Sequence, residues 1–304
     1  MNTYLGIDIG GTKIAGAVVS ALGEVMVADR RPAEAWRGGA AILRTALDLA
    51  VALIAANPGV AAIGIGSGGQ IDADSGVVLS ATDLLPGWAG TNLVEAFGTL
   101  ANLPVAVDND VNALAAAECR FGAARGMSSV VFLALGTGVG GALVLDGRLH
   151  HGAHFAGAEF GHILLSIADD ARFDGGGAKG TLEAYCSGPG IAETYRELGG
   201  QPNCTAIEIA AMAETDPNGI AARAIEATGT YLGYGLVSLA NALDPDMIVI
   251  GGGLAGLGDM LLAPARRILR ERALPGPAEC PVALASLGEH ASVIGAASLA
   301  MPRM

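Results

Sequence analysis

One pattern of residues occurs twice in this chain. Leu5 to Met26 reads LGIDIGGTKIAGAVVSALGEVM, and Phe132 to His150 reads FLALGTGVGGALVLDGRLH. Each is an apolar strand, a glycine-rich turn, a second apolar strand, a polar glycine turn and the start of a third strand, with Gly10 matching Gly136. Helices and short strands alternate after each copy. The first half predicts a helix near Gly38 to Ala56, a strand at Ala61 to Gly66, a helix near Asn92 to Ala101 and a strand at Val105 to Val107. The second predicts helices over much of Pro189 to Leu243, a strand at Met247 to Ile250, a helix to about Arg272, a strand near Pro281 to Ala285 and a last helix. The shared order of elements points to duplication: two α/β domains, 1–117 and 118–289, with a ligand cleft between them and a final helix over about 290–304 that packs back on the first.

The length of 304 residues suits two domains. With 17 Lys and Arg against 30 Asp and Glu, the net charge of -13 repels nucleic acid and anionic membrane, so a phosphate ligand must be held locally. Cys119, Cys186, Cys204 and Cys280 form no close pair, and read as reduced thiols of a cytoplasmic protein. The start of the chain lacks the basic and apolar regions of a signal peptide. The uncharged run Leu49 to Ile71 is broken by Asn57-Pro58-Gly59 and by Gly66-Ser67-Gly68-Gly69 into a helix end, a turn and a strand, which makes it a poor membrane span.

Backbone N–H groups in a tight glycine turn form a nest for anions. In Asp8 to Lys13 (DIGGTK) the nest of Gly10 and Gly11 gains the Asp8 carboxylate, which could hold a Mg²⁺ water, the Thr12 hydroxyl and the Lys13 cation. In Gly136 to Gly141 (GTGVGG) it gains Thr137, beside Gly138. Either turn alone reads as a plain hairpin; the matched pair reads as a phosphate clamp. Gly251-x-Gly253-x-x-Gly256 follows a strand, as a dinucleotide fingerprint would, but Glu271 falls inside a helical stretch and not at a strand tip. Gly252 and Gly253 better suit a wall beside an adenosine. Neither a P-loop nor a nucleophile elbow is present.

The stretch LPVAVDNDVNALAAAE, Leu103 to Glu118, ends a strand in Asp108-Asn109-Asp110 and starts a helix. Helix capping accounts for one such residue. Three in succession, with Asn112 behind them, also suit a catalytic cluster.

These motifs, in this order and over nearly the whole chain, resemble the ROK family of sugar kinases and sugar-responsive repressors, whose fold is that of actin and hexokinase. HHGAHFAGAEFGH followed by GTLEAYCSG resembles that family's sugar-binding signature, and IVIGGGLAG its adenosine region. The resemblance implies two actin-like (ribonuclease H-like) domains and an ATP-dependent, Mg²⁺-requiring sugar 6-kinase, with Asp110 as general base. It places the sugar on Asn109, Glu159, His162, Glu183 and the backbone at Gly69, and leaves Asp108 to cap and position the helix. His150, His151 and His154 are expected to be structural or solvent-facing. Most members hold zinc with the histidine of the GH pair and three cysteines; here His162 remains, but those positions carry Asp174, Gly176 and Thr181, so a zinc-free variant is expected.

Glucose ranks first as substrate and N-acetylmannosamine second. A sugar-sensing repressor would need a DNA-binding extension before the core, and the first strand begins within a few residues of Met1. The expected partners are sugar and nucleotide, with neither nucleic acid nor membrane, and the expected assembly is a cytoplasmic homodimer.

Overall fold

The computed structural model describes residues 2–302. The chain divides into two compact units, one of Met1–Gly126, Arg148–Gly157 and Ser286–Met304, the other of Met127–Gly147 and Ala158–Ala285.

In the first unit, β1 (Thr3–Ile9), β2 (Lys13–Ser20), β3 (Val25–Pro32), α1 (Gly39–Ala56), β4 (Val60–Ser67), the β5–β6 ribbon (Gln70–Asp72, Val77–Ser80), α2 (Leu93–Ala101), β7 (Val105–Asn109) and α3 (Asp110–Phe121) follow in order. The sheet runs β3-β2-β1-β4-β7: β1 and β2 are antiparallel around the glycine turn, and β4 and β7 lie parallel to β1. β1 and β4 are almost continuously apolar and buried because both sheet faces are covered. On one face lies α1, whose buried Ile42, Ala46, Leu49 and Leu53 recur at helical spacing. By length and composition α1 could cross a membrane, but this stripe is in the core with Ile7, Val18, Trp88 and Phe97. As expected, α1 ends before Pro58 and a strand follows.

The second unit repeats the order. β8 (Val130–Leu135), β9 (Val139–Leu145), α4 (Leu182–Cys186), α5 (Gly188–Glu197), α6 (Ala206–Thr215), α7 (Ile220–Leu243), β11 (Met247–Gly251), α8 (Asp259–Arg272) and β12 (Val282–Leu284) follow in order, and β10 (Arg148–Leu149), which the division counts with the first unit, is the edge strand of a sheet ordered β10-β9-β8-β11-β12. Counting only the strands within each sheet in chain order, both read third, second, first, fourth, fifth. α7 and α8 cover it through Leu232, Leu236, Leu261 and Leu269.

The last helix, α9 (Ala291–Leu299), belongs to the first unit. Gly6 and Gly64 are register partners on β1 and β4. A Cβ at Gly6 would lie 2.0 Å from the Val293 carbonyl, and one at Gly64 1.8 Å from that of Ala296. The helix backbone thus rests on a bare patch of sheet that only glycine provides.

α3 runs on to Phe121, and Glu118 near its end ties down two later stretches of chain. Its carboxylate accepts from the N–H groups of Ala123, Ser286 and Leu287 and from the Ser286 hydroxyl.

Candidate active site

Strand register builds the first half of the site. Asp8 on β1 is level with Gly66 on β4, and Gly66 with Asp108 on β7; one step further, Ile9, Ser67 and Asn109 align. β7 extends two residues beyond the expected Val107, which carries Asp108 and Asn109 to the strand tip and starts α3 at Asp110. Asn109 is the N-cap, its Oδ1 accepting from the N–H of Val111 at 2.8 Å and of Asn112 at 3.4 Å. Its Nδ2 donates to the Gly69 carbonyl at 2.9 Å, so these two sequence-assigned residues meet. Gly69 has φ +104°, and a Cβ there would lie 2.4 Å from the Ser80 carbonyl. The Asn109 side chain also hydrogen-bonds the Asp110 carboxyl.

Burial pushes the Asp110 carboxyl above the ordinary carboxylate range, against the pull of the Val111 N–H, to which it accepts at 3.0 Å. Burial likewise pushes Asp8 up to about 6; the Ser292 hydroxyl lowers it, the Asp110 charge raises it further and Lys13 offsets part of that. Two electrostatically coupled, desolvated acids at the ends of the parallel strands β1 and β7 mark this strand end as the candidate site.

Asp108 departs from its expected role. Asn109, not Asp108, caps α3. The Asp108 side chain is 6% exposed, its Oδ1 accepting from the Asn109 N–H and from Asn112 Nδ2, and its Oδ2 lying 2.7 Å from His151 Nε2. His151 is accordingly no free solvent-facing histidine: the hydrogen bond to Asp108 raises its pKa, against burial. Its loop is tied down a second time where Gln70 donates to the His154 carbonyl. Sequence reasoning missed this pair, because nothing local links a strand tip to a loop so far along the chain.

The first glycine turn is closed by the Gly10 N–H donating to the Lys13 carbonyl at 3.1 Å. The Leu84 carbonyl packs against Gly11, the Thr12 carbonyl accepts from the Ala33 N–H, and Lys13 starts β2 as an exposed residue. The second turn is closed by Gly136 N–H donating to the Gly138 carbonyl at 2.9 Å, with Thr137 exposed at its tip. Gly252, at the end of β11, touches the backbone of Leu135 just before that turn, with Gly253 next to it in open space.

Glu183 on α4 joins this second turn directly: its Oε2 accepts from the Val139 N–H at 2.8 Å and lies beside Gly138. Glu159 and His162 flank the short turn Phe160–His162, both exposed, after a stretch in which Phe155 and Ala158 hold the left-handed conformation at φ +53° and +65°.

The loop where the family resemblance leads one to expect cysteines is built around Asp174. Its Oδ1 accepts from the N–H groups of Gly176 (3.0 Å) and Ala178 (2.8 Å), its Oδ2 from the Thr181 hydroxyl (2.8 Å), and His162 Nδ1 lies 3.5 Å from Oδ2. Among the described residues no three His, Cys, Asp or Glu side chains gather as a metal site. Tetrahedral zinc needs four donors such as thiolates and imidazoles, and a carboxylate already saturated by N–H and O–H groups does not suit it.

A twice-repeated α/β unit with a glycine turn on each sheet and a desolvated acid at a helix start defines a phosphotransferase architecture. Residues 4–303 match the ROK family, and the chain belongs to that family. It is 32% identical over 310 residues to a glucokinase of Halalkalibacterium halodurans, covering 96% of this chain and 93% of that protein. The crystal structure of the ROK hexokinase from Thermus thermophilus superposes with a TM-score of 0.81 at 31% identity, covering 98% of this chain and 97% of that one. A ROK family glucokinase from Streptomyces griseus, crystallised with glucose and AMPPNP, gives 0.80 at 30% identity, covering 98% and 99%.

Proposed function

We propose that this chain is an ATP-dependent kinase that phosphorylates the 6-hydroxyl of a hexose, with glucose as the first substrate. The observation that carries the reading is Asp110: a carboxylate raised in basicity by desolvation, fixed at the first turn of α3 beside the Asn109–Gly69 contact. Its support in kind is the glucokinase relatives that match along their whole length.

In the reaction, Asp110 takes the proton of the 6-hydroxyl as that oxygen bonds to the γ-phosphorus and the bond to ADP breaks. A general base of this kind contributes about 10²–10⁴-fold. Asn109, together with Glu159, His162 and Glu183, serves the sugar hydroxyls; the two glycine turns serve the phosphates; Gly252 and Gly253 line the adenosine. Asp8 fits Mg²⁺, because a buried carboxylate beside another acid gains most from a cation, and when bound the ion neutralises charge on the transferring phosphoryl group. The two units are taken to be the family's duplicated actin-like halves, both needed for turnover, in a cytoplasmic dimer.

An N-acetylhexosamine is the alternative substrate, since Thr82-Asp83 stands where many family glucokinases have Pro-Asn. An ADP-release assay over a sugar panel decides between them, with Asp110→Asn as control. The variant should lose turnover by about 10²-fold or more while sugar still binds. Equal turnover in the variant would remove Asp110 from the mechanism.

A further inference from the structure

We propose that Asp174 is a positioning residue for sugar recognition: its carboxylate sets the tautomer of His162 and fixes the start of the helix that carries Glu183. The inference rests on the kinase reading of His162 and Glu183.

Asp174 is placed to act on both at once. Its side chain is fully shielded from solvent, and its two oxygens have separate duties. Oδ1 takes the Gly176 and Ala178 N–H groups, which leaves Oδ2 facing the Thr181 hydroxyl and His162 Nδ1. Thr181 is the N-cap of α4, its hydroxyl accepting from the Ala184 N–H, and Glu183 lies two residues on. Removing the Oδ2 acceptor would therefore loosen the cap and free the imidazole together. Toward the imidazole, a carboxylate oxygen beside Nδ1 favours the proton on that nitrogen and leaves the Nε2 lone pair to accept from a hydroxyl. His162 is about half exposed, so Nε2 is open to a ligand.

Side chains outside the turn also hold the loop. Arg172, two residues before Asp174, spans both oxygens of Glu197 from Nε and Nη2, donates from Nη1 to the Thr194 hydroxyl at 2.8 Å and lies over the Tyr185 ring at 4.9 Å. This anchors the loop to α5, and the Asp174 carboxylate closes the next turn.

Burial opposes ionisation of Asp174, but the Thr181, Ala178 and Gly176 hydrogen bonds outweigh it and hold its carboxyl below the ordinary range. The acceptor is therefore an anion at neutral pH.

The test is Asp174→Asn. Because the Gly176 and Ala178 N–H groups require an oxygen at the Oδ1 position, the new NH₂ must replace Oδ2 and point at His162 Nδ1. The imidazole should then switch to its Nε2–H form. Long-range ¹H–¹⁵N spectra of histidine-labelled protein, with His162→Gln for assignment, should show the Nδ1–H tautomer in the wild type and Nε2–H in the variant. The sugar KM should rise about tenfold or more, with kcat and the ATP KM within about threefold, and this effect should shrink in a His162→Gln background. An Nε2–H tautomer in the wild type would overturn the inference without any variant. So would a folded Asp174→Asn protein with unchanged tautomer and sugar KM, or full additivity with His162→Gln. A wild type that phosphorylates no sugar would instead sink the kinase reading, and the tautomer measurement would still decide the role of Asp174.

Discussion

His151 Nε2 lies 2.7 Å from Asp108 Oδ2, although 43 residues separate them in sequence. The contact ties the loop after β10 to the strand tip that presents Asn109 and Asp110. His151→Ala strips a buried carboxylate of its partner and should cost about 1–3 kcal/mol. The histidine pKa is raised in the folded state by Asp108. Its stabilisation is therefore complete below the unfolded pKa and fades as pH rises through the folded one. Urea melts of wild type and variant should differ most on the acid side of neutrality and converge in alkali; a gap that widens with pH would contradict the pair.

The acids Asp8 and Asp110 set a second pH dependence. Both carboxyls are raised, Asp8 to about 6, so they release their protons later than ordinary carboxylates. As they interact, their titration belongs to the pair. Sugar phosphorylation should fall along an acid limb near the Asp8 value, and raising Mg²⁺ should move that limb to lower pH. The linkage sign for the free protein is opposite to the usual carboxylate case: a raised pKa penalises the ionised fold, so stability is greatest below the unfolded pKa and drops as pH climbs through about 6. Asp8→Asn should remove that drop.

Glu118 is 1% exposed and gathers three backbone N–H groups and one hydroxyl. Glu118→Ala strands those donors and should destabilise by roughly 3 kcal/mol or more, read by chemical unfolding. Glu118→Gln, which keeps an acceptor, should lose less.

Ala158 sits at φ +65° directly before Glu159. A left-handed alanine costs about 1–2 kcal/mol, and part of that returns when glycine is substituted, less the added freedom of the unfolded chain. Ala158→Gly should raise stability by about 0.5–1 kcal/mol with sugar KM unchanged. A lower melting temperature would show that the conformation carries no strain.

Local pattern carried most of the architecture to the surface of the sequence. Strand runs such as Leu5 to Ile9, the break at Pro58 and the capped start at Asn92 depend on neighbours in the chain, and all lie where periodicity and turn chemistry put them. The match of Gly10 to Gly136 foretold two sheets of one strand order. Long-range polar pairing was invisible. Asp108 looks like one more capping acid until His151 arrives from a distant loop, and Asp174 looks like a bare replacement for a cysteine until its three donors and the nearby His162 ring are seen together. Backbone strain at Phe155 and Ala158 was equally hidden, since those residue types ordinarily avoid the left-handed region.

The seat of α9 on Gly6 and Gly64 has a consequence for how the molecule is born. β1 and β4 are made well before the segment that roofs them, with the second unit's residues in between. While the ribosome works through the intervening residues, the β1–β4 surface must stay without its natural cover, and Asp8 without the hydroxyl of Ser292. Synthesis of α9, not emergence of the β1–β4 surface, is therefore the moment at which Asp8 acquires its folded surroundings.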